Sequence, residues 1–265
     1  MGNDAPLLIA QLSDLHLYAT PDRELLGLNT FASLEVVLQK LQRLPQRPDQ
    51  LLLTGDLTQD ESDNAYQQVQ DLIAPLKIPT YWLPGNHDHL PTMETAFTDP
   101  NFLAHKSYRM GAWHFLLLDS SVPGKVYGHL STQSLSWLHQ QLEQCCPHPT
   151  VIALHHPPLA IKSDWLDQIG LQNSEDLFAI LDQYPHVKLV VFGHIHQSFE
   201  HQRRQVSYVS TPSTCIQFAP HSKTFALDEA QPGFRLFQLH SDGRFETAVH
   251  RVMFSQTLDF SAKGY

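Results

Sequence analysis

Five times in the first two thirds of this chain a short apolar run ends in a polar cluster, and helical patterns lie between the runs. The segments are LLIAQLSDLH (7–16), QLLLTGD (50–56), TYWLPGNHD (80–88), TVIALHH (150–156) and KLVVFGHIH (188–196), each carrying 4 to 6 strand-like residues into Asp, Asn or His. Between them, residues 30–44 set Phe31, Leu34, Val37, Leu38, Leu41 and Leu44 on one helical face, with Asn29 or Thr30 as the cap. Ala65, Val69, Leu72 and Leu76 make a second face, and Leu135, Leu138 and Leu142 a third that begins after Ser131. Strand alternating with helix predicts β-α-β units and an α/β fold. Beyond about residue 197 strands follow one another, and FRLFQLH and RFETAVHRV are joined by a tight-hairpin signal at Asp242-Gly243. Nothing marks a domain boundary, so a single domain over 1–265 is expected, with a tail from about Gln256.

The bulk properties narrow the class. With 42% hydrophobic and 17% charged residues, a 265-residue chain can bury a core. A formal charge of -10 without any Lys/Arg run excludes the basic footprint that nucleic acid requires. Asp4 stands where a signal peptide wants a cation, no apolar stretch approaches the roughly 18 residues of a membrane span, and Pro6 spoils a myristoylation signal. No membrane partner and a cytoplasmic location are therefore expected. Three cysteines, Cys145 and Cys146 adjacent, make a poor disulfide framework and suit a reducing compartment. Histidine stands out at 17 residues, as many as Lys and Arg together.

In open α/β sheets ligands bind beyond the C-terminal ends of the strands, where all five polar clusters fall, so the clusters should converge. Asp14 and His16 are two apart, which in a chain still extended points both side chains one way. Gly55 and Gly85 allow sharp turns before Asp56 and Asn86, and His194 and His196 repeat the two-residue spacing. The gathered set is Asp14, His16, Asp56, Asn86, His155, His194 and His196. Seven mixed oxygen and nitrogen donors without cysteine exceed one tetrahedral zinc site, and two metals would use them all. Imidazole with carboxylate suits iron, manganese or zinc better than magnesium or calcium. Two such ions, about 3.5 to 4 Å apart and bridged by a carboxylate, can hold a hydroxide and bind both sides of a phosphoryl group. Within LPGNHDH the division of labour stays open: Asn86, His87, Asp88 and His89 could each bind metal, and His87 or His89 could instead move a proton. His156, beside His155, is an alternative ligand of lower rank. Tyr18 and the Thr211–Pro220 segment are candidate pocket walls, each equally or better read as ordinary loop.

The ordered pattern D-x-H, G-D, G-N-H-[DE], H and G-H-x-H resembles that of the calcineurin-like metallophosphoesterases. LLGLNTFASLEVVL, GDLTQDESDNAY, TPSTCIQFAP and PGFRLFQLHSDGRFETAVHRV are further similar to the bacterial class III cyclic-AMP phosphodiesterases, over nearly the whole chain. The resemblance implies a four-layer αββα sandwich, two facing mixed sheets flanked by helices. It implies that Asp14, His16 and His196 hold one ion, that Asp56 bridges, and that Asn86, His155 and His194 hold the second, with iron or manganese as the metals and zinc as an alternative. Asn86, His87 and His194 would meet the substrate phosphoryl, and His87 would protonate the leaving oxygen. Asp88 would orient a neighbour such as a histidine ring or cap a turn, and Asp60 could sit behind His87. The implied reaction is hydrolysis of 3',5'-cyclic AMP, a small-molecule partner, to 5'-AMP by a bridging hydroxide, in a monomer or homodimer. The alternatives are a broad phosphodiesterase for 2',3'-cyclic nucleotides or other diesters, and a metal-binding scaffold without turnover.

Overall fold

The computed structural model describes residues 5–255 and 257–264. In chain order the main strands are β1 (Leu7–Leu12), β2 (Gln50–Thr54), β3 (Thr80–Leu83), β4 (Phe102–Leu103), β5 (Ser107–Met110), β6 (Trp113–Leu117), β7 (Thr150–Ala153), β8 (Val187–Phe192), β9 (Phe199–Arg203), β10 (Val206–Ser210), β11 (Gly233–Leu239) and β12 (Phe245–Arg251). They form two six-stranded sheets, ordered β12-β11-β1-β2-β3-β4 and β9-β10-β8-β7-β6-β5. The centre of each sheet is parallel: β1, β2 and β3 in the first, β6, β7, β8 and β10 in the second. Antiparallel strands close three of the four margins through β11–β12, β9–β10 and β5–β6, and β4 closes the fourth parallel to β3. The expected hairpin is β11–β12, with Gly243 at φ +87 in its turn.

The four layers follow from which faces are apolar. Between the sheets, Ile9, Leu52 and Phe237 of the first pack with Phe115, Val151, Leu189 and Val191 of the second. On the outer face of the first sheet, Ala10, Leu12, Leu51 and Leu53 meet the buried stripe Leu34, Val37, Leu38 and Leu41 of α1 (Thr30–Gln42) and Val69 and Ile73 of α2 (Asp63–Ile73). On the outer face of the second, Leu116, Ile152 and Val190 meet the helices Thr132–Cys145 and Ser174–Leu181. Strands buried on both faces read as continuous apolar runs, the pattern of the five segments. Asn29 caps α1 by accepting from Ala32 N at 2.7 Å, and Ser131 caps Thr132–Cys145 through Ser134 N at 3.0 Å.

Polar links cross the inter-sheet layer. Gln11 Nε2 donates to Thr54 Oγ1 and to Phe192 O, and Arg235, with no exposed surface, donates to Ser210 O, Ser198 Oγ, Glu200 and Thr247. The C-terminal residues are no free tail. Phe254 and Leu258 pack on the core, and Asp259 N donates to Leu26 O at 3.0 Å; Gln256 itself lies outside the described residues. No helix among the described residues is long and apolar enough to cross a membrane.

Candidate functional site

All seven gathered residues sit just past strand ends and converge between the two sheets. Six of them, Asp14, His16, Asp56, His155, His194 and His196, are buried, while Asn86 is half-buried at the rim. Asp14 and His16 do not converge by the extended geometry expected of them. β1 ends at Leu12, and both residues are left-handed, at φ 55 and 50. Asp56, His194 and His196 share that conformation at φ 52, 69 and 47. Non-glycine residues pay about 1–3 kcal/mol each for such backbone, and clusters of them mark functional sites. Backbone bonds hold the loops there: Asp14 N donates to Gly55 O and His16 N to Asp56 O, each at 3.0 Å. Gly55, at φ +91, makes the sharp turn that was expected; Gly85 serves a different purpose, since a Cβ there would collide with the Asp56 carboxylate.

Three of the four gathered imidazoles are oriented from behind. His155 Nδ1 donates to Thr54 O at 2.7 Å, His196 Nδ1 to Ile216 O at 2.9 Å, and His16 Nδ1 to Gln59 Oε1 at 2.6 Å. Those bonds fix the tautomers and aim the Nε2 lone pairs inward. His16 Nε2 and His196 Nε2 then face each other at 3.2 Å, and His155 Nε2 faces His194 Nδ1 at 3.2 Å. Around them, Asp14 Oδ2 and Asn86 Oδ1 are buried acceptors without a hydrogen-bond donor among the described residues, and Asp56 Oδ2 lies 3.2 Å from His155 Nε2. Opposed nitrogen lone pairs beside unsatisfied oxygens are costly in a protein interior, and cations satisfy both kinds of donor atom. The groups Asp14–Asp56–His155 and His16–Asp56–His87 each keep their donor atoms within 4.8 Å of one another, and they share Asp56. The donor set fits two ions with Asp56 between them.

The clustered histidines differ in protonation. Burial drives His16 down to about 3 and holds His194 and His196 well below the usual imidazole range, so these rings are neutral and able to coordinate. Burial would also lower His155, but Asp56 Oδ2, 3.2 Å from its Nε2, outweighs that and raises it to about 9. Asp56 is held low by His155 and His87 against its own burial.

The lesser candidates divide. His87 is half-buried, its N–H donates to Asp56 Oδ1 at 2.9 Å, and its ring meets that of His16 edge-on at 5.1 Å. Asp88 orients no histidine ring: its carboxylate accepts from Leu57 N, Thr58 N, Gly85 N and Tyr66 OH, tying the Asp56 loop to the Asn86 loop. Burial lifts it to about 6. Asp60 is not behind His87; it accepts from Ala19 N and from Ser62, the cap of α2. His156 packs against the rings of His155 and His194, its Nδ1 2.8 Å from Ser120 Oγ. His89 is exposed and bonds Thr92. Thr211–Pro220 buttresses the site from behind: Ser213 Oγ donates to Asp14 O, and Cys215 Sγ lies within 4.8 Å of a ring nitrogen on each of His16 and His196. Tyr18 lies under the Arg23 guanidinium at 4.9 Å. Gln59 and Tyr66 were missed, although both lie in GDLTQDESDNAY, directly after the third of the gathered ligands.

Residues 7–198 match the family model described as calcineurin-like phosphoesterase. A 3',5'-cyclic-nucleotide phosphodiesterase of Nostoc sp. is 45% identical over 259 residues, 98% of this chain and 97% of that one. A 3',5'-cyclic adenosine monophosphate phosphodiesterase of Pseudomonas aeruginosa is 42% identical over 267 residues, 100% of this chain and 97% of that one. Among solved structures, a dimetal phosphatase from Danio rerio superposes with a TM-score of 0.65 at 16% identity, covering 92% of this chain and 99% of that chain. The motif order, the two-sheet sandwich and these matches agree, and the chain belongs to the calcineurin-like phosphoesterases.

Proposed function

We propose that this protein hydrolyses 3',5'-cyclic AMP to 5'-AMP at a dinuclear centre in which Asp14, His16 and His196 hold one ion, Asn86, His155 and His194 hold the other, and Asp56 serves both. Iron and manganese are the proposed metals, with zinc as an alternative, since imidazole and carboxylate donors accept all three. When bound, the ions supply Lewis-acid neutralisation of charge on the phosphoryl oxygens and ready deprotonation of water. We read the chain as one cytoplasmic domain, its three apolar clusters each anchored on one or both sheets.

The observation that carries the reading is the position of His87. Its ring has a nitrogen within 4.8 Å of donor atoms on Asp56 and His16, yet it is half-exposed where the ligands around it are buried. A ring at the rim of the ligand cluster reaches a phosphodiester lying on that cluster. His87 then holds a proton for the departing O3', whose alkoxide is a poor leaving group, and a positioned acid of this kind contributes about 10²- to 10⁴-fold. Asn86 and His194 orient the phosphoryl group from the same rim. His87→Ala should therefore lower kcat for cyclic AMP by about 10²- to 10⁴-fold while metal content, measured by elemental analysis, stays at the wild-type level. Unchanged turnover with metals bound would remove the acid role, and a wild-type preference for a non-cyclic diester over cyclic AMP would remove the substrate.

A further inference from the structure

The cavity that Asn86, His87 and His194 open onto is not lined by polar groups alone. It has a volume of about 200 Å³, and its apolar lining includes Trp165, Phe218 and Phe225. The three rings form one aromatic cluster, with centroids 5.0, 5.3 and 5.4 Å apart in T-shaped pairs. The cluster is firmly placed. Trp165 Nε1 donates to Ser222 Oγ at 3.0 Å, and Phe218 stacks on the His196 ring at 4.1 Å with 12° between planes. Trp165 and Phe225 remain half-buried, so the cluster is not closed over on the cavity side. Among the described residues no carboxylate side chain lines the cavity, and the one cationic residue there is Lys263, carried by the C-terminal segment.

We propose that this aromatic wall is the subsite for the purine ring of the substrate, with Trp165 as the principal stacking surface. The inference rests on the cyclic-nucleotide reading of the same site and names what would hold the rest of the molecule. At about 200 Å³ the cavity is smaller than the roughly 300–1,000 Å³ that enclose a whole drug-sized ligand, so it suits one ring system and its sugar while the phosphoryl group stays on the ligand cluster. An aromatic wall offers a π-face to a base and few groups to its edges, and stacking of this kind is tolerant of base identity. The proximity of Lys263 admits an anionic ligand.

The test uses the metal-reconstituted protein and two probes that share a phosphorylated ribose, 5'-AMP and ribose 5-phosphate, with affinities read by calorimetry. In the wild type 5'-AMP should bind about 5- to 150-fold more tightly, the contribution of one base–aromatic stack. Trp165→Leu should collapse most of that ratio and leave the affinity for ribose 5-phosphate unchanged, while Trp165→Phe should retain it. 5'-GMP should bind within about tenfold of 5'-AMP, because a face rather than an edge is recognised. Equal affinity of the wild type for 5'-AMP and ribose 5-phosphate, or an equal loss for both in Trp165→Leu, would overturn the subsite. Turnover of cyclic AMP by the wild type, measured separately, tests the parent reading, so the two can fail independently.

Discussion

At the residue scale, the site depends on side chains that never touch substrate. An imidazole can swing about χ1 and χ2 and can carry its proton on either nitrogen, so a His at a strand end is only a potential ligand until a second group fixes it. For His155 and His196 that group is a backbone carbonyl, Thr54 O and Ile216 O, which no substitution removes. For His16 it is the Gln59 amide oxygen at 2.6 Å, which a substitution can remove. Gln59→Leu should therefore leave the fold intact, free the His16 ring and weaken binding of one ion. Loss of an outer partner of this kind typically costs about 10- to 100-fold in metal affinity. Competition against a calibrated chelator measures it, and an unchanged affinity would show that packing alone holds the ring. Asp88 acts by the same logic on backbone: four donors, three of them main-chain N–H groups from two loops, converge on its carboxylate.

At the scale of elements, the strand-to-loop junctions carry the chemistry, and their spacing tolerates no extra atom. A Cβ on Gly85 would meet Asp56 N and the Asp56 carboxylate, and Gly85 has no positive φ, so the requirement there is space and not conformation. Gly85→Ala should push Asp56 off its shared position. A displacement on the order of 1 Å at a reacting centre can cost about 10²-fold, so kcat/KM should fall by roughly that factor with far-UV circular dichroism unchanged. Wild-type turnover in Gly85→Ala would mean that Asp56 is not held by this junction. These junctions were legible in the sequence because β1, β2, β3, β7 and β8 are buried on both faces and so read as unbroken apolar runs; the caps Asn29 and Ser131 were legible because capping is local chemistry. The left-handed backbone at Asp14, His16 and Asp56 was not, since it is imposed by bonds between loops 40 residues apart in the chain, such as His16 N to Asp56 O. Nor were β5 and β6: Ser107–Met110 mixes Tyr108 and Met110 with Ser107 and Arg109, and only pairing with the second sheet makes it a strand. The division into two sheets came from family resemblance, because periodicity says which residues are buried and not against which sheet.

At the scale of the whole molecule, two sheets packed face to face place the ends of their parallel strands at one edge, and six of the seven gathered polar groups are buried there together. That burial couples protonation to stability and to metal. In protein stripped of metal, His155 is raised to about 9 from an ordinary 6.5 because the Asp56 carboxylate outweighs the effect of its own burial. A raised histidine contributes stability that is complete below pH 6.5 and is lost as pH climbs through 9. Asp14, raised chiefly by burial, acts in the same direction. The depressed groups oppose it only at the ends of the interval: unfolded His16, His194 and His196 still bind protons near pH 6.5, and Lys106, lowered by burial to about 8, loses its proton in the folded chain before the unfolded one as pH approaches 9. The Tm of stripped protein should accordingly fall between about pH 7 and 8.5, where His155 and Asp14 dominate. Metal binding runs the other way. A metal must displace the proton of His155 to bind it, so affinity, and with it the stabilisation that bound metal confers, rises over the same interval. The gap in Tm between loaded and stripped protein should widen steadily from pH 6.5 to 9, and calorimetry at pH 7 in buffers of different ionisation enthalpy should record proton release on loading. Parallel Tm profiles with no proton release would mean that the ion pair of His155 with Asp56 does not stand where the metal binds, and would remove His155 from the ligand set.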